Sequence, residues 1–302
     1  MNNTLIISLE YDSSTAEVIN WLYYLDREVN IIRLNLDNLC RNFALEFDFN
    51  SKTLVVNECE ITYIWFRKYI YNIQSKERTI SSEERDDLNH ILFSVYYAFK
   101  AQKKSLGMPL EYRFFNRYNM LNSFQEAGMS FPITKVFFNN KKGLSRLMKN
   151  IEYKILRKEI GDVKKDKSTN TNRYYDLLHP SDSLISSCLV QEFVDKEYEL
   201  RVIWLAGKFY SIGKFTGIEQ ACDSRALENV DSSLIEIPMS VQNILSNHLK
   251  ELDIDFCCID LIVKNGEYYF LDLNPHGQFE HDCKSNNLDI HKSIAKILLN
   301  EN

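Results

Sequence analysis

The stretch from residue 258 to residue 279, CIDLIVKNGEYYFLDLNPHGQF, constrains the fold more than any other part of the chain. It contains two apolar runs on either side of Lys264-Asn265-Gly266, which is the pattern of two antiparallel strands joined by a tight turn. Gly266 can adopt a positive φ, and this favours a three-residue loop with the glycine in the left-handed conformation. The sequence therefore predicts a β-hairpin in which the loop length decides which side chains share a face.

A three-residue loop pairs Asp260 with Phe270 and Cys258 with Asp272. Asp260 and Asp272 are then diagonal neighbours on one face, about 7–8 Å apart at the backbone, and Asn274 follows on the same face. The opposite face is expected to be the core face, and it carries Ile259, Leu261, Val263, Tyr269, Leu271 and Leu273. A two-residue Asn-Gly loop would separate the two aspartates, so this prediction depends on the longer loop.

Asp260, Asp272 and Asn274 would bring two carboxylates and an amide oxygen to one place. These are hard oxygen ligands, suited to Mg²⁺ that is bridged to phosphates. Pro275 ends the second strand and directs Asn274 toward the same place. The alternative is a solvated outer face of an edge hairpin, on which one or two aspartates are ordinary.

The same residues resemble the metal-binding end of the ATP-grasp ligases, in which an aspartate-bearing strand and a hairpin precede a segment like FLDLNP. Gly277-Gln278-Phe279 narrows the resemblance to the ATP-grasp maturases that cyclise ribosomally made peptides, the graspetide or microviridin-type synthetases, and within them to the grasp-with-spasm group. The resemblance covers residues 65–299. It implies an ATP-grasp fold with two lobes and with ATP and Mg²⁺ as cofactors.

Composition and charge fit this class of protein. The chain has 302 residues, of which 45% are hydrophobic and 26% charged, as in ordinary globular proteins. Its net charge of −6 argues against general nucleic-acid binding. Its seven cysteines form no CxxC pair, which favours a reducing, cytoplasmic location. We find no signal-peptide pattern and no apolar run of about 18 residues, so no membrane association is expected.

Strand and helix patterns divide the chain into three parts. An apolar strand at 4–9, a capping box from Ser14 to Glu17 and a second strand at 30–36 predict an α/β unit with parallel pairing. A second capping box at residues 81–84 opens a long helix. We expect an α/β fold with an N-terminal α/β domain at 1–107, a central ATP-grasp lobe at 108–190 and a C-terminal lobe with the metal site at 191–302.

Two cations of the central part are candidates for holding nucleotide phosphates. Asn116-Arg117, followed by a helix, Gly128 and a strand from Pro132, resembles the opening of the ATP-grasp region, where lysine is usual in place of Arg117. Arginine keeps the charge but changes the geometry. Lys154 lies in a strand at 152–157, and its partner would be a phosphate. The alternative for Lys154 is a side chain that faces water.

The segment from 191 to 194 resembles the link between the two lobes, where backbone groups meet the adenine edge. Its residues are Gln191, Glu192, Phe193 and Val194. Glu199 and Arg201 follow on one strand face, and the guanidinium of Arg201 suits a phosphate or a carboxylate. Lys214 would add a second cation. The alternative is an exposed Glu–Arg pair that contributes little.

Asp223-Ser224-Arg225 resembles the Asp-x-Arg element of the family, which makes Arg225 a candidate for binding the acceptor carboxylate. A turn aspartate beside a solvated arginine is the alternative. Two positions depart from the family, since Asp272 replaces the commoner glutamate and Arg117 replaces lysine.

The resemblance implies ATP-dependent macrocyclisation of a precursor peptide that carries a leader segment. An Asp or Glu side chain would become an acyl phosphate and then be joined to a Thr or Ser hydroxyl, giving an ester, or to a Lys amine, giving an amide. It also implies a homodimer. Two alternatives stay open, an ATP-grasp ligase that adds a free amino acid to a peptide or protein, and a nucleotide-binding regulator without turnover.

Overall fold

The computed structural model describes residues 2–109, 117–150, 154–158, 175–177, 187–216 and 230–301. The strands of these ranges are β1 (Asn3–Ser8), β2 (Asn30–Asn35), β3 (Leu45–Asp48), β4 (Thr53–Val56), β5 (Cys59–Glu60), β6 (Tyr63–Phe66), β7 (Ser105–Gly107), β8 (Thr134–Phe138), β9 (Ile155–Lys158), β10 (Tyr175–Leu177), β11 (Ser187–Glu192), β12 (Tyr198–Leu205), β13 (Lys208–Phe215), β14 (Asp231–Leu234), β15 (Phe256–Lys264) and β16 (Glu267–Asn274). The helices are α1 (Ser13–Leu25), α2 (Ser82–Ala101), α3 (Arg117–Glu126), α4 (Lys141–Asn150), α5 (Met239–Glu251), α6 (Glu280–Asn286) and α7 (Ile290–Leu298).

The N-terminal part is built on a four-stranded sheet in the order β2-β1-β6-β7. All of its pairings are parallel, so the predicted α/β unit is confirmed. Helix α1 connects β1 to β2, but the predicted capping box at Ser14 is wrong. Asp12 is the N-cap instead, and its carboxylate accepts a hydrogen bond from the amide of Thr15 at 2.8 Å. The predicted capping box of α2 is confirmed at Ser81 and Glu84.

Two antiparallel sheets follow. The central sheet has the order β10-β9-β11-β8, and one of its faces is covered by α4, whose Leu144 packs on Ile155 and Val190. The C-terminal sheet has five strands in the order β14-β13-β12-β15-β16. Among the described residues, no helix is long and apolar enough to cross a membrane.

The two faces of the C-terminal sheet pack into two different hydrophobic clusters. Leu200, Ile259 and Phe270 lie in the first cluster, which also contains residues of β1 and α2. Ile203 and Cys258 lie in the second, together with residues of α1 and α7. Both clusters therefore join the N-terminal sheet to the C-terminal sheet through continuous apolar packing.

The hairpin between β15 and β16 corrects the predicted register. Lys264 pairs with Glu267, so the loop has two residues, Asn265 at φ 52° and Gly266 at φ 75°. Positive φ at both positions matches the twist of the flanking strands. The predicted three-residue loop and the predicted pairs of Asp260 with Phe270 and of Cys258 with Asp272 are therefore wrong.

A β-bulge compensates for the shorter loop. The register shifts between Asp260 and Leu261, so that Leu261 pairs with Phe270 while Asp260 pairs directly with Asp272. The extra residue of β16 is Leu271, and it returns Asp272 to the face of Asp260. The core face of β16 consequently carries the fully buried Phe270 and the packed Tyr268, in place of the predicted Tyr269 and Leu271.

The conformation of Asn265 generates a stability prediction. Left-handed backbone costs most residues about 1–2 kcal/mol, while asparagine and glycine tolerate it. We expect Asn265→Ala to lower the free energy of unfolding by about 1 kcal/mol, and Asn265→Gly to leave it within about 0.5 kcal/mol of the wild type. Urea unfolding of the three proteins measures this, and equal stability of the Ala and Gly variants would contradict the turn assignment.

Candidate functional site

The candidate site lies on the C-terminal sheet, on the face that packs against α1 and α7. At one end of this face, Ile203 and Ile212 are buried in the second hydrophobic cluster. At the other end, Asp260 and Asp272 lie directly opposite each other on adjacent strands. Side chains of such a pair start about 4.5–5.5 Å apart at the Cβ atoms. The two carboxylates therefore share a face as expected, although the bulge and not the loop places them there.

Arg201 joins this pair from the next strand. It is the backbone partner of Asp260, and its Nη1 donates to Asp260 Oδ1 at 2.6 Å, while Nη2 donates to the Gln278 carbonyl at 2.9 Å. Burial lowers the pKa of Arg201, but the carboxylates of Asp260 and Asp282 outweigh this effect and raise it overall. Arg201 is thus a permanently charged group, 14% exposed, beside the aspartate pair.

Asp282 on α6 connects the two predicted cations of the site. Its Oδ1 lies 2.8 Å from Lys214 Nζ, and its Oδ2 lies 3.9 Å from Arg201 Nε. This role of Asp282 was not predicted, and its signal in the sequence is an acidic position in the first turn of a helix after the Gly277-Gln278-Phe279 segment. Arg201 and Lys214 are therefore held side by side by one buried carboxylate.

Glu199 and Asn274 flank the group. Glu199 lies opposite Lys214 on the neighbouring strand and forms an ion pair with Lys196. Asn274 is exposed at the end of β16, and its Oδ1 accepts a hydrogen bond from the amide of His276 at 2.8 Å. This bond fixes the orientation of the side-chain amide.

The donor set fits Mg²⁺ in its chemistry. Asp260 and Asp272 supply carboxylate oxygens, and Asn274 supplies an amide oxygen on the same face. Within the described ranges, no group of three or more His, Cys, Asp or Glu side chains is arranged to hold a metal ion. A magnesium ion here would accordingly take its remaining ligands from Asn274, water and phosphate, as magnesium usually does.

The loop after Asn274 is fastened to the N-terminal sheet by Arg67, which follows β6. Its Nη1 donates to the carbonyls of His276 and Gly277 at 3.2 and 3.0 Å, and its Nη2 donates to Gln278 Oε1 at 2.9 Å. Its Nε lies 3.2 Å from Asp12 Oδ1, and its side chain is fully buried. Sequence reasoning missed this arginine, since the pairing spans about 210 residues of chain.

Lys68 reaches the same loop beside Arg67. Its Nζ donates to the His276 carbonyl. Burial lowers the pKa of Lys68 to about 8, and the positive charge of Arg67 adds to this effect. His276 is neutral, because burial lowers its pKa to about 3, and its Nε2 contacts the Met108 carbonyl at 2.7 Å.

Gly277 allows this loop to approach β15 closely. A Cβ atom at position 277 would lie 2.4 Å from Cys258 Cβ and 3.1 Å from Arg201 Nη2. No side chain fits at such distances without movement of the loop. The glycine of the Gly-Gln-Phe segment therefore has a steric role at the site.

A second group of predicted residues meets where β11 leaves the central sheet. The amide of Phe193 donates to the Lys154 carbonyl at 2.8 Å, and Lys154 Nζ lies 5.7 Å from the centroid of the Phe193 ring. Gln191 is buried and donates to Thr134 Oγ1 at 2.9 Å. Glu192 pairs with Ile133 through its backbone amide, and Val194 is buried. The structure thus gathers Lys154 and residues 191–194, with the Lys154 side chain exposed.

Two predicted residues are not placed. Arg225 lies outside the described residues. Arg117 begins α3, but its side chain is not among those described.

No protein-family model and no curated protein sequence matches the chain. Solved structures match it over its whole length. A RiPP-associated ATP-grasp ligase of Chryseobacterium gregarium, in complex with ADP and a leader and core peptide, is 21% identical with a TM-score of 0.74, covering 100% of this chain and 98% of its own. The macrocyclase MdnC of Microcystis aeruginosa MRC, bound with precursor peptide MdnA, is 16% identical with a TM-score of 0.74, covering 99% of each chain.

The ATP-grasp ligase PsnB, complexed with a minimal precursor, is 13% identical with a TM-score of 0.76, covering 100% of this chain and 99% of its own. These likenesses show that the chain has the ATP-grasp fold, as the sequence predicted.

The contact of Gly277 with Cys258 generates a testable coupling. We expect Gly277→Ala to lower the free energy of unfolding by about 1–3 kcal/mol, because the loop must move away from β15. In a Cys258→Gly background the clashing Cβ and Sγ atoms are absent, so the same change is expected to cost at least about 1 kcal/mol less. Denaturant unfolding of the four proteins gives the coupling energy, and strictly additive effects would contradict the steric role.

The lowered pKa of Lys68 leads us to expect that the difference in stability between the wild type and Lys68→Met depends on pH. Its pKa falls from 10.5 when the chain is unfolded to about 8 when it is folded. The unfolded chain therefore binds this proton more tightly, and stability rises with pH between these values. We expect Lys68→Met to be more stable than the wild type at pH 7 by about 1–3 kcal/mol, and this advantage to shrink toward pH 10. Urea unfolding at both pH values tests this, and a destabilised variant with a pH-independent difference would contradict the assignment.

Proposed function

We propose that the chain is an ADP-forming ATP-grasp ligase that macrocyclises a ribosomally made precursor peptide. The observation that carries the proposal is the face of the C-terminal sheet on which Asp260 and Asp272 lie opposite each other beside Arg201 and Lys214. Carboxylates that suit a magnesium ion, next to an arginine and a lysine, form an arrangement that suits phosphoryl transfer.

The solved structures support the peptide as the substrate class. The Chryseobacterium ligase is described with a leader and core peptide, MdnC as a macrocyclase bound with its precursor peptide, and PsnB with a minimal precursor. We propose by this likeness that the present chain also takes a precursor peptide with a leader segment.

In the proposed first step, a side-chain carboxylate of the peptide attacks the γ-phosphorus of ATP. An oxygen–phosphorus bond forms, the bond to the bridging oxygen breaks, and ADP leaves. Mg²⁺, held by Asp260, Asp272 and Asn274, would neutralise charge on the phosphates when bound. Arg201 and Lys214 place positive charge where the transferring group becomes negative, and their fixed positions make this stabilisation effective.

In the second step a hydroxyl or an amine of the same peptide attacks the acyl carbon. Phosphate leaves, the proton of the nucleophile is released, and an ester or an amide closes the ring. We propose that Arg225 binds the acceptor carboxylate and that Arg117, Lys154, Glu199 and residues 191–194 hold the nucleotide. The exposed side chain of Lys154, with its Nζ 5.7 Å from the centroid of the Phe193 ring, supports this assignment.

The proposal includes a homodimer in the cytoplasm and the division of the chain at residues 107 and 190. Light scattering coupled to size-exclusion chromatography measures the oligomeric state. A monomer at micromolar concentration would remove the homodimer from the proposal without affecting the chemistry.

The deciding experiment is an intact-mass measurement with Mg-ATP and the small peptides encoded beside the gene. We expect the peptide to lose the mass of one water molecule for each bond that is formed. The closed ring is also expected to resist fragmentation in the mass spectrometer. A gain of one amino acid less water would instead show ligation of a free amino acid. Binding of ATP without any mass change or turnover would indicate a regulator. Mild alkaline hydrolysis then separates esters, which open, from amides, which persist.

Asp260 provides the matched test of the site. We expect Asp260→Asn to abolish turnover, with a loss of at least about 100-fold in kcat, because both the metal ligand and the partner of Arg201 are removed. Asp87→Asn is the control, since Asp87 is an exposed residue on the outside of α2. Unchanged activity of Asp260→Asn would refute the metal assignment.

A further inference from the structure

Among the described residues, Lys68 differs from Arg67, Arg201 and Lys214 in having no carboxylate partner. Arg67 Nε lies 3.2 Å from Asp12 Oδ1, and Lys214 Nζ lies 2.8 Å from Asp282 Oδ1. The ammonium of Lys68 donates to the His276 carbonyl, and no carboxylate of the described residues lies within ion-pair distance of it. A largely buried ammonium without a counter-ion costs folding free energy, which calls for a reason other than stability.

The position of Lys68 in the N-terminal sheet supplies an independent indication. The parallel strands have the order β2-β1-β6-β7, so the chain passes from β1 to β2 on one side of β1 and later returns as β6 on its other side. In open α/β sheets, ligands bind at the carboxyl ends of the strands where the order reverses in this way. Asp12 follows β1 and Lys68 follows β6, and the Lys68 amide donates to the Ile7 carbonyl at 3.1 Å. Lys68 therefore stands at the switch point of the sheet.

The charged groups around Lys68 are already engaged with one another. The charges of Arg67 and Arg201 disfavour the Lys68 ammonium, and the charge of Asp12 favours it. The Asp12 carboxylate is, however, bound by Arg67 and by the N-terminus of α1. Arg201 in turn is tied to Asp260 and to the Gln278 carbonyl. An anion that enters between the N-terminal sheet and the loop 276–278 would meet Lys68, which has no carboxylate partner in the part of the chain that the structure describes.

We propose that Lys68 binds a side-chain carboxylate of an acidic peptide at the carboxyl end of the N-terminal parallel sheet, next to Arg201. This inference rests on the proposed function for the identity of the peptide, but the carboxylate site itself does not require turnover. The bound carboxylate replaces the missing counter-ion and holds the peptide where Arg201 and Asp260 lie.

A carboxylate is favoured over a nucleotide phosphate by the placement of the two groups of residues. Lys68 projects from the N-terminal sheet to the loop after Asn274. Lys154 and Phe193, which are proposed to hold the nucleotide, lie together at the end of the central sheet, next to the paired residues Ile155 and Glu192. The two cations thus adjoin the ends of different sheets, which suits a peptide at one and a nucleotide at the other.

The equilibrium test uses N-acetyl-glutamic acid α-amide as the carboxylate probe and the corresponding glutamine compound as its neutral match. In the presence of Mg-ADP, we expect only the acid to raise the midpoint of thermal unfolding of the wild type with increasing concentration. We expect Lys68→Met to require about tenfold more of the acid for the same rise of the midpoint. Lys68→Arg is expected to require a concentration close to that of the wild type. Lys76→Met is the control, since Lys76 is an exposed lysine that pairs with Glu10. A Lys68→Met protein that responds like the wild type overturns the proposal.

The kinetic test separates this inference from the proposed function. With a peptide that the wild type cyclises, Lys68→Met is expected to raise the KM for the peptide by about tenfold and to leave the KM for ATP within about twofold. A raised KM for ATP alone would assign Lys68 to a phosphate and overturn the carboxylate site. If the wild type cyclises no peptide while the acid probe still requires Lys68, the macrocyclase proposal fails and the carboxylate site stands.

Discussion

The candidate site depends on one short loop that is held by two arginines from opposite directions. Arg67 of the N-terminal sheet binds the carbonyls of His276 and Gly277 and the side chain of Gln278. Arg201 of the C-terminal sheet binds the carbonyl of Gln278 and the carboxylate of Asp260. Charge-assisted hydrogen bonds of this kind are stronger than neutral ones. The geometry of the aspartate pair is therefore linked by continuous bonding to Asp12 and the N-terminal sheet.

The hydrophobic packing gives the same coupling on a larger scale. Each face of the C-terminal sheet belongs to a cluster that also contains residues of the N-terminal sheet and its helices. An interface of this kind resists sliding, because apolar contacts on both sides would be lost together. Phe279 contributes to this coupling. Its ring is fully buried, with the centroid 5.0 Å from Cζ of Arg67, and it packs on Phe256.

The sequence predicted those features that depend on local pattern. Strand alternation, the capping box of α2 and the aspartates of the hairpin were recoverable, because each is written within a few neighbouring residues. The hairpin register could not be predicted, because the sequence Lys264-Asn265-Gly266 is compatible with both a two-residue and a three-residue loop. The bulge at Leu271 also leaves no local signal. The roles of Arg67, Lys68 and Asp282 were missed for another reason. These roles come from long-range pairing, which no spacing in the chain reveals.

The bulge at Leu271 has a consequence for how such a site can change over time. Because one extra residue in β16 absorbs the difference between the turn and the aspartate pair, the length of the turn is uncoupled from the chemistry of the strand ends. An insertion or deletion in the turn can be balanced by loss or gain of the bulge, with Asp260 and Asp272 still facing each other. Two relatives could therefore differ by one residue in this hairpin and share one site, although a gapless comparison of their sequences would place the second aspartate on the wrong face.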